Sequence, residues 1–184
     1  MKEYSDLELI NMVRNGDNSA FGIIVEKHEA RIASTVKGML GNTQEADDVG
    51  QEVFIRFYKS INNFRGEAKL STYLTRIAIN LSLNEIKKRK AKKFLSFESW
   101  SEAASILPDS GNKSIDFEKT EVITKALEKL DTKFKSVVVL RLIDGYSTEE
   151  TAEILGIPSG TVLSRLSRAQ KKLKNLLTPY MEGI

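Results

Sequence analysis

Near the C-terminus, Ser159 opens a segment in which Thr161, Ser164, Arg165, Arg168 and Lys172 recur on one side of a helical repeat. Hydroxyls and cations in that arrangement can donate to phosphate oxygens and to base edges in a major groove, which is wide enough for one helix. The opposite side carries Val162, Leu166, Ala169, Leu173 and Leu176, an apolar stripe suited to packing inward. No acidic residue falls between Ser159 and Leu177, whereas an ordinary solvated face mixes signs.

A second constellation lies at Tyr73, Ile77, Asn80, Asn84 and Lys87, alternately four and three residues apart. One helix face would then hold an aromatic ring, amides and a cation. That mixture suits single-stranded DNA, whose bases stack on rings and offer their edges to amides while lysines hold the backbone. Arg76 and Lys88 add charge on the same segment, and Asn62, Asn63, Phe64, Arg65 and Lys69 precede it. Aromatics at such positions serve equally well in a core, so Phe64 stands open between stacking platform and core. Lys87 to Lys93 could be a solvated helix end favoured by the helix dipole or a phosphate-neutralising patch.

A third group, Asp47, Asp48, Gln51 and Glu52, forms an acidic face opposite Ala46, Val49, Val53, Phe57 and Ile61. It suits a partner helix bearing arginines. Carboxylates so close can also mean metal binding or acid/base catalysis, but those roles need histidines or further converging carboxylates. His28 is the sole histidine and sits among apolar neighbours as a core or boundary residue. The expectation is no catalytic residue, no metal and no cofactor.

Helices must position these groups. Ser147 and Glu150 have capping-box spacing, and Gly156, Ile157 and Pro158 end the helix they start. A helix, a tight turn and the Ser159 helix together make the outline of a helix-turn-helix. Upstream, Ser5 and Glu8 form another capping box, a longer helix follows from about Ser19 to Gly41, a third runs from about Thr43 to Ile61, and Ser71 caps a fourth. Periodicity breaks between Ser96 and Ser114 among serines, Pro108 and Gly111, although Phe97, Trp100, Ile106 and Leu107 are apolar. A second helical block then carries Val122, Ile123, Ala126, Leu127 and Leu130, followed by a helix capped by Asp131 and closed by Asp144 and Gly145. The expected fold is all-α: two small bundles, residues 1–95 and 115–184, joined by a flexible linker over 96–114, the second bundle containing the helix-turn-helix.

Composition limits the alternatives. The 184 residues are 41% hydrophobic with a net charge of +3, so a soluble folded protein is expected and the overall balance alone does not indicate nucleic acid. Absence of cysteine removes disulfides, thiolate metal sites and a cysteine nucleophile. With no long apolar run and no signal core, membrane insertion is not expected, and the protein should remain cytoplasmic.

Three strings in order, EADDVGQEVFIRFY (Glu45 to Tyr58), FRGEAKLSTYLTRIAINLSLNEIKKRK (Phe64 to Lys90) and the terminal GIPSGTVLSRLSRA, closely resemble bacterial extracytoplasmic-function (ECF) sigma factors of the sigma-70 family. The resemblance covers nearly the whole chain. It implies a promoter-specificity subunit with no chemistry of its own, which binds core RNA polymerase at the clamp helices of the largest subunit and at the flap region. It further implies that Asp47, Asp48, Gln51 and Glu52 contact the polymerase and that the loop and Asn80 capture an unstacked minus-ten base. The Ser159 to Lys172 residues would then read the minus-thirty-five duplex, and an anti-sigma factor would be a partner. Gly50, Tyr73 for tryptophan, Asn84 for aspartate, Leu163 and Gln170 depart from the family pattern. The rival reading is a helix-turn-helix regulator acting on duplex operators without polymerase.

Overall fold

The computed structural model describes residues 4–97 and 115–181. Its α-helices are α1 (Asp6–Arg14), α2 (Ser19–Leu40), α3 (Gln44–Ser60), α4 (Leu70–Phe97), α5 (Ile115–Glu128), α6 (Thr132–Val138), α7 (Thr148–Leu155) and α8 (Ser159–Met181). A 3-10 turn follows α3 at Ile61–Asn63, and a π turn follows α6 at Val139–Ile143. No strand occurs among the described residues, as expected. Of the expected linker, the first two positions end α4 and the rest, including Trp100, Ile106 and Leu107, lie outside the described residues.

Local chemistry explains most helix ends. Both capping boxes form: Ser147 Oγ accepts from the Glu150 N–H at 3.0 Å, and the Ser147 N–H donates to the Glu150 carboxylate at 2.9 Å, with the equivalent pair at Ser5 and Glu8. Gly156 ends α7 in the left-handed region at φ 63°, where a side chain would be strained. Two caps differ from expectation. Helix α4 starts at Leu70, before Ser71, and Asp131 precedes α6 without bonding its backbone because its carboxylate accepts from Lys172 at 2.7 Å.

Helices α1 to α4 enclose a core containing Leu9, Ile10, Ile24, Val36, Val53, Phe57, Leu74 and Ile79, all fully buried or nearly so. Burying each such side chain contributes about 1.5–3 kcal/mol. Arg14 fixes the end of this bundle by donating to the carbonyls of Ile61 and Phe64. A smaller cluster of Leu127, Leu130, Phe134, Val138 and Ala169 holds α5, α6 and α8, with Leu173 and Leu176 packed against it.

The two regions are not apart in space. Val139, Leu140, Tyr146 and Ile154, from the second region, belong to the same buried cluster as the first region's core. Gly38 on α2 makes the close approach possible: a Cβ there would lie 2.9 Å from Val139 Cγ2. The loop after the π turn wedges between α2 and α4. Asp144 accepts from Ser34 Oγ at 3.0 Å and Thr35 Oγ1 at 2.7 Å, while the Tyr146 hydroxyl lies 2.7 Å from Thr75 Oγ1. Burial pushes the Asp144 carboxyl above its ordinary value, against the two hydroxyl donors and Arg31, which favour the charged form. Lys135 on α6 is buried with its ammonium donating to the Met39 carbonyl at 3.3 Å, and that burial lowers its pKa.

Candidate nucleic-acid interface

Helix α8 presents its expected face outward. Val162 and Ala169 are buried beneath it, while Ser159, Ser164 and Arg168 are exposed and Thr161 and Arg165 half-buried at its margin. Ser164 Oγ donates to the Thr161 carbonyl at 3.1 Å in this unliganded state. Lys172 is engaged within its own region, paired with Asp131 and set 4.8 Å above the Phe134 ring centroid. That pair holds the Asp131 carboxyl below its usual range. Lys172 therefore joins α8 to the start of α6, and any phosphate contact by it must compete with that carboxylate. Leu163, which departs from the pattern of the family that the chain resembles, is exposed.

On α4, Asn80, Asn84, Lys87 and Lys88 are all exposed, and their spacing places Asn80, Asn84 and Lys87 on one face. Ile77 and Tyr73 continue the stripe half-buried. Of the preceding loop, Asn62, Asn63, Arg65 and Lys69 are exposed. Phe64 is not: it is 7% exposed, with its ring edge-on to Phe57 and Tyr73 at centroid distances of 6.0 and 5.1 Å. Of the two readings that its sequence position left open, core and stacking platform, this burial favours the core, because the apolar surface of the ring is already covered by two other rings. Tyr73 keeps its hydroxyl near Ser60 Oγ, at 3.4 Å, and leaves part of the ring open.

Two expected DNA-facing cations are occupied by the other region. Lys69 pairs with Glu150 at 3.2 Å, and Arg76 donates to the Glu153 carbonyl at 2.9 Å and carboxylate at 3.3 Å. Arg89, counted in the basic cluster by sequence, instead reaches the α2–α3 corner, bonding the Leu40 carbonyl, Thr43 Oγ1 and Glu45. Sequence position alone could not separate it from its lysine neighbours.

The acidic face of α3 forms as expected, with Asp47, Asp48 and Gln51 exposed and Glu52 half-buried. Its ion pairs are local: Asp47 with Lys37 at 3.6 Å and Glu52 with Arg56 at 2.8 Å, both weak in water. A shallow cleft beside it is lined by Val25, Ile32, Ala33, Gly50, Gln51 and Phe54. Ile55 continues the stripe of Asp48, Gln51 and Glu52 and is 46% exposed, an apolar contact that sequence reasoning passed over although its spacing was visible. His28 is buried, 3.3 Å from Asp6 across α1 and α2. No group of acidic residues and histidines able to hold a metal occurs among the described residues.

Residues 24–92 match the protein family described as Sigma-70 region 2, and residues 120–173 match Sigma-70, region 4. The chain belongs to the ECF sigma factors of the sigma-70 family. It is 38% identical to the ECF RNA polymerase sigma factor SigW of Bacillus subtilis, over 91% of this chain and 94% of that one. It is 30% identical to the ECF RNA polymerase sigma-E factor of Escherichia coli, over 98% of each. Among solved structures, CnrH in complex with the cytosolic domain of CnrY matches with a TM-score of 0.71 and 25% identity, over 95% of this chain and 97% of that one. The sigma factor RpoE of Bartonella quintana, crystallised with the anti-sigma factor NepR, shares the fold at a TM-score of 0.68 over 86% and 96%. Members of the family are transcription initiation factors and not enzymes. No described helix is long and apolar enough to cross a membrane.

Proposed function

We propose that this ECF sigma factor acts in the cytoplasm, binding core RNA polymerase through Asp47, Asp48, Gln51 and Glu52 and reading promoters with two separate faces. The first face is Asn80, Asn84, Lys87 and Lys88 on α4 with Asn62, Asn63, Arg65, Lys69 and Arg76, applied to melted minus-ten DNA. The second is Ser159, Thr161, Ser164, Arg165 and Arg168, with Lys172 at its far end, applied to minus-thirty-five duplex. Residues 1–95 and 115–184 are the corresponding functional units. The clamp helices and flap are the polymerase surfaces proposed to receive them, and an anti-sigma factor is the proposed antagonist.

The observation that carries this reading is the coexistence of an exposed amide-and-lysine face on α4 with an exposed hydroxyl-and-arginine face on α8. A regulator of duplex operators needs only the second. Opening a base costs a few kcal/mol, so the α4 face gains its target only after polymerase has helped melt the duplex.

Transcription with purified core enzyme tests the proposal. The wild type should direct promoter-dependent RNA synthesis, Asp48→Lys with Glu52→Lys should abolish co-migration with polymerase, and Arg165→Ala with Arg168→Ala should leave co-migration intact. That last pair should weaken binding at the upstream element by roughly tenfold or more, since phosphate and base contacts contribute on the order of 1–3 kcal/mol. Absence of RNA from every genomic template would defeat it.

A further inference from the structure

One side chain on the outward part of α8 has no role in the fold. Leu163 is 56% exposed and belongs neither to a buried cluster nor to the side chains packed against one. Between Ser159 and Asn175 every other exposed residue is polar or glycine. Leu163 lies about 6 Å along the axis from Ser159, at ~1.5 Å per residue, within the N-terminal part of the second helix, which in a helix-turn-helix meets base edges. Its side of the helix is shared by Ser159 and Gly160 one turn earlier and by Ser167 and Gln170 on the turns that follow, all exposed. A Cβ at Gly160 would meet nothing within 4 Å. The leucine therefore stands above a ledge of short side chains, and nothing within one turn towards the helix start reaches as far. Around it the charge has one sign: Arg165, Arg168, Lys171 and Lys172 follow, and no acidic residue falls between Ser159 and Leu177. A partner for this surface has to be a polyanion that also displays an apolar group.

We propose that Leu163 is a specificity-determining residue of the minus-thirty-five face, selecting a thymine by contact with its C5-methyl group in the major groove. The inference rests on the sigma reading of α8 and deepens it. Duplex DNA meets both demands of the surface, since its phosphates are anionic and the thymine methyl is the apolar group that an unmodified base pair displays in that groove. The hydroxyls of Ser159 and Ser164 and the guanidinium groups of Arg165 and Arg168 bond phosphates and base edges, but none of them needs a methyl group. Leucine has neither donor nor acceptor, so it discriminates in two ways. It gains by covering a thymine methyl, and it loses by covering a cytosine amino group that it leaves without an acceptor. Arg168 and Lys171, on the turns that follow, are exposed and free to hold phosphates at the groove wall. Their contribution weakens with salt because counterions are released, whereas that of the leucine does not.

The test uses holoenzyme assembled from core polymerase and the full chain, with synthetic duplexes randomised over the promoter. The duplex that wild-type holoenzyme enriches becomes the probe, and each thymine of its upstream element is replaced singly by deoxyuridine, which removes the methyl group and keeps the base pair. At one position the replacement should weaken wild-type binding about fourfold, the value of one buried methyl group. Leu163→Ala should lose about fourfold or more on the thymine duplex and respond to deoxyuridine by less than about twofold, as coupled contacts do in a double-mutant cycle. Leu163→Met, which keeps an apolar reach, should retain the thymine preference. The slope of log affinity against log salt should be the same in Leu163→Ala as in wild type, whereas Arg168→Ala should flatten it by about 0.9. Alanine is a good helix former at an exposed site, so co-migration with polymerase should persist; if Leu163→Ala folds poorly, Leu163→Gln takes its place with the same expected losses. An enriched upstream element without thymine, a deoxyuridine effect equal in wild type and variant, or a variant with a flattened salt slope would each overturn the inference while leaving the sigma reading intact. Wild-type holoenzyme that enriches no duplex and makes no promoter-dependent RNA would sink the sigma reading and this inference with it.

Discussion

The two helices proposed to face DNA are supported very differently. Helix α4 is embedded in a bundle whose core runs through four helices, and its N-terminal half is also covered by α7. Helix α8 rests on a small cluster around Phe134 and keeps its reading face clear. Part of the second region's apolar surface is buried only by the first, at Val139, Leu140, Tyr146 and Ile154. A helix-turn-helix of this size is therefore sheltered by its neighbour, which keeps Asn80, Asn84, Lys87 and Lys88 exposed while Lys69 and Arg76 pair with α7.

The sharpest way to break this asymmetry is in the two cores. Phe57→Ala removes a fully buried ring that contacts Phe64 and Tyr73, so it should cost about 3–5 kcal/mol and destabilise both regions together in denaturant. Phe134→Ala should cost a similar amount locally, yet hydrogen exchange should show α1 to α4 still protected. Loss of protection throughout the chain in Phe134→Ala would show that the dependence is mutual instead of one-way.

Gly50 on α3 offers a gain in the first region alone. A Cβ there meets nothing within 4 Å, so Gly50→Ala should raise stability by about 1 kcal/mol, read as a higher denaturation midpoint at unchanged slope. If polymerase binding then falls, the glycine is where a partner approaches the backbone.

Tyr146→Phe tests the seam between regions. It removes a hydroxyl paired with Thr75 and should cost about 0.5–1.5 kcal/mol, with wild-type stability restored in part by adding Thr75→Val.

The smallest expected effect is on pH. Asp144 has a folded pKa above its ordinary value of 3.8, so the folded form holds this proton more tightly than the unfolded chain does. Stability from this group increases as pH falls through the raised value and levels off below the ordinary one. Glu150 is opposite: the Ser147 backbone N–H, then Lys69, lower its pKa, and its contribution is lost on acidification. Denaturation of wild type compared with Asp144→Asn between neutrality and pH ~4 should isolate the first trend; a difference that is flat or of the reverse sign refutes it.

Much of this arrangement was legible in the sequence. Both capping boxes, the Gly156 terminator, the α8 stripe and the α3 acidic face follow from patterns within a few residues of each other, where backbone geometry fixes which side chains meet. The contacts that the sequence did not show lie beyond that range: Phe64 meets Phe57 and Tyr73 more than one helical turn away, while Arg89 meets the α2–α3 corner, Lys172 meets Asp131 and Arg76 meets Glu153 from distant parts of the chain. The Asp144–Gly145–Tyr146 loop read only as a helix end, because a wedge is defined by what lies on either side of it.

Lys135 tempers the seam it sits in. An ammonium held against the Met39 carbonyl, with burial disfavouring its charge, would regain full hydration if α6 lifted from α2. The desolvation of one cation thus offsets part of what apolar burial contributes there, so the seam joins the halves without welding them.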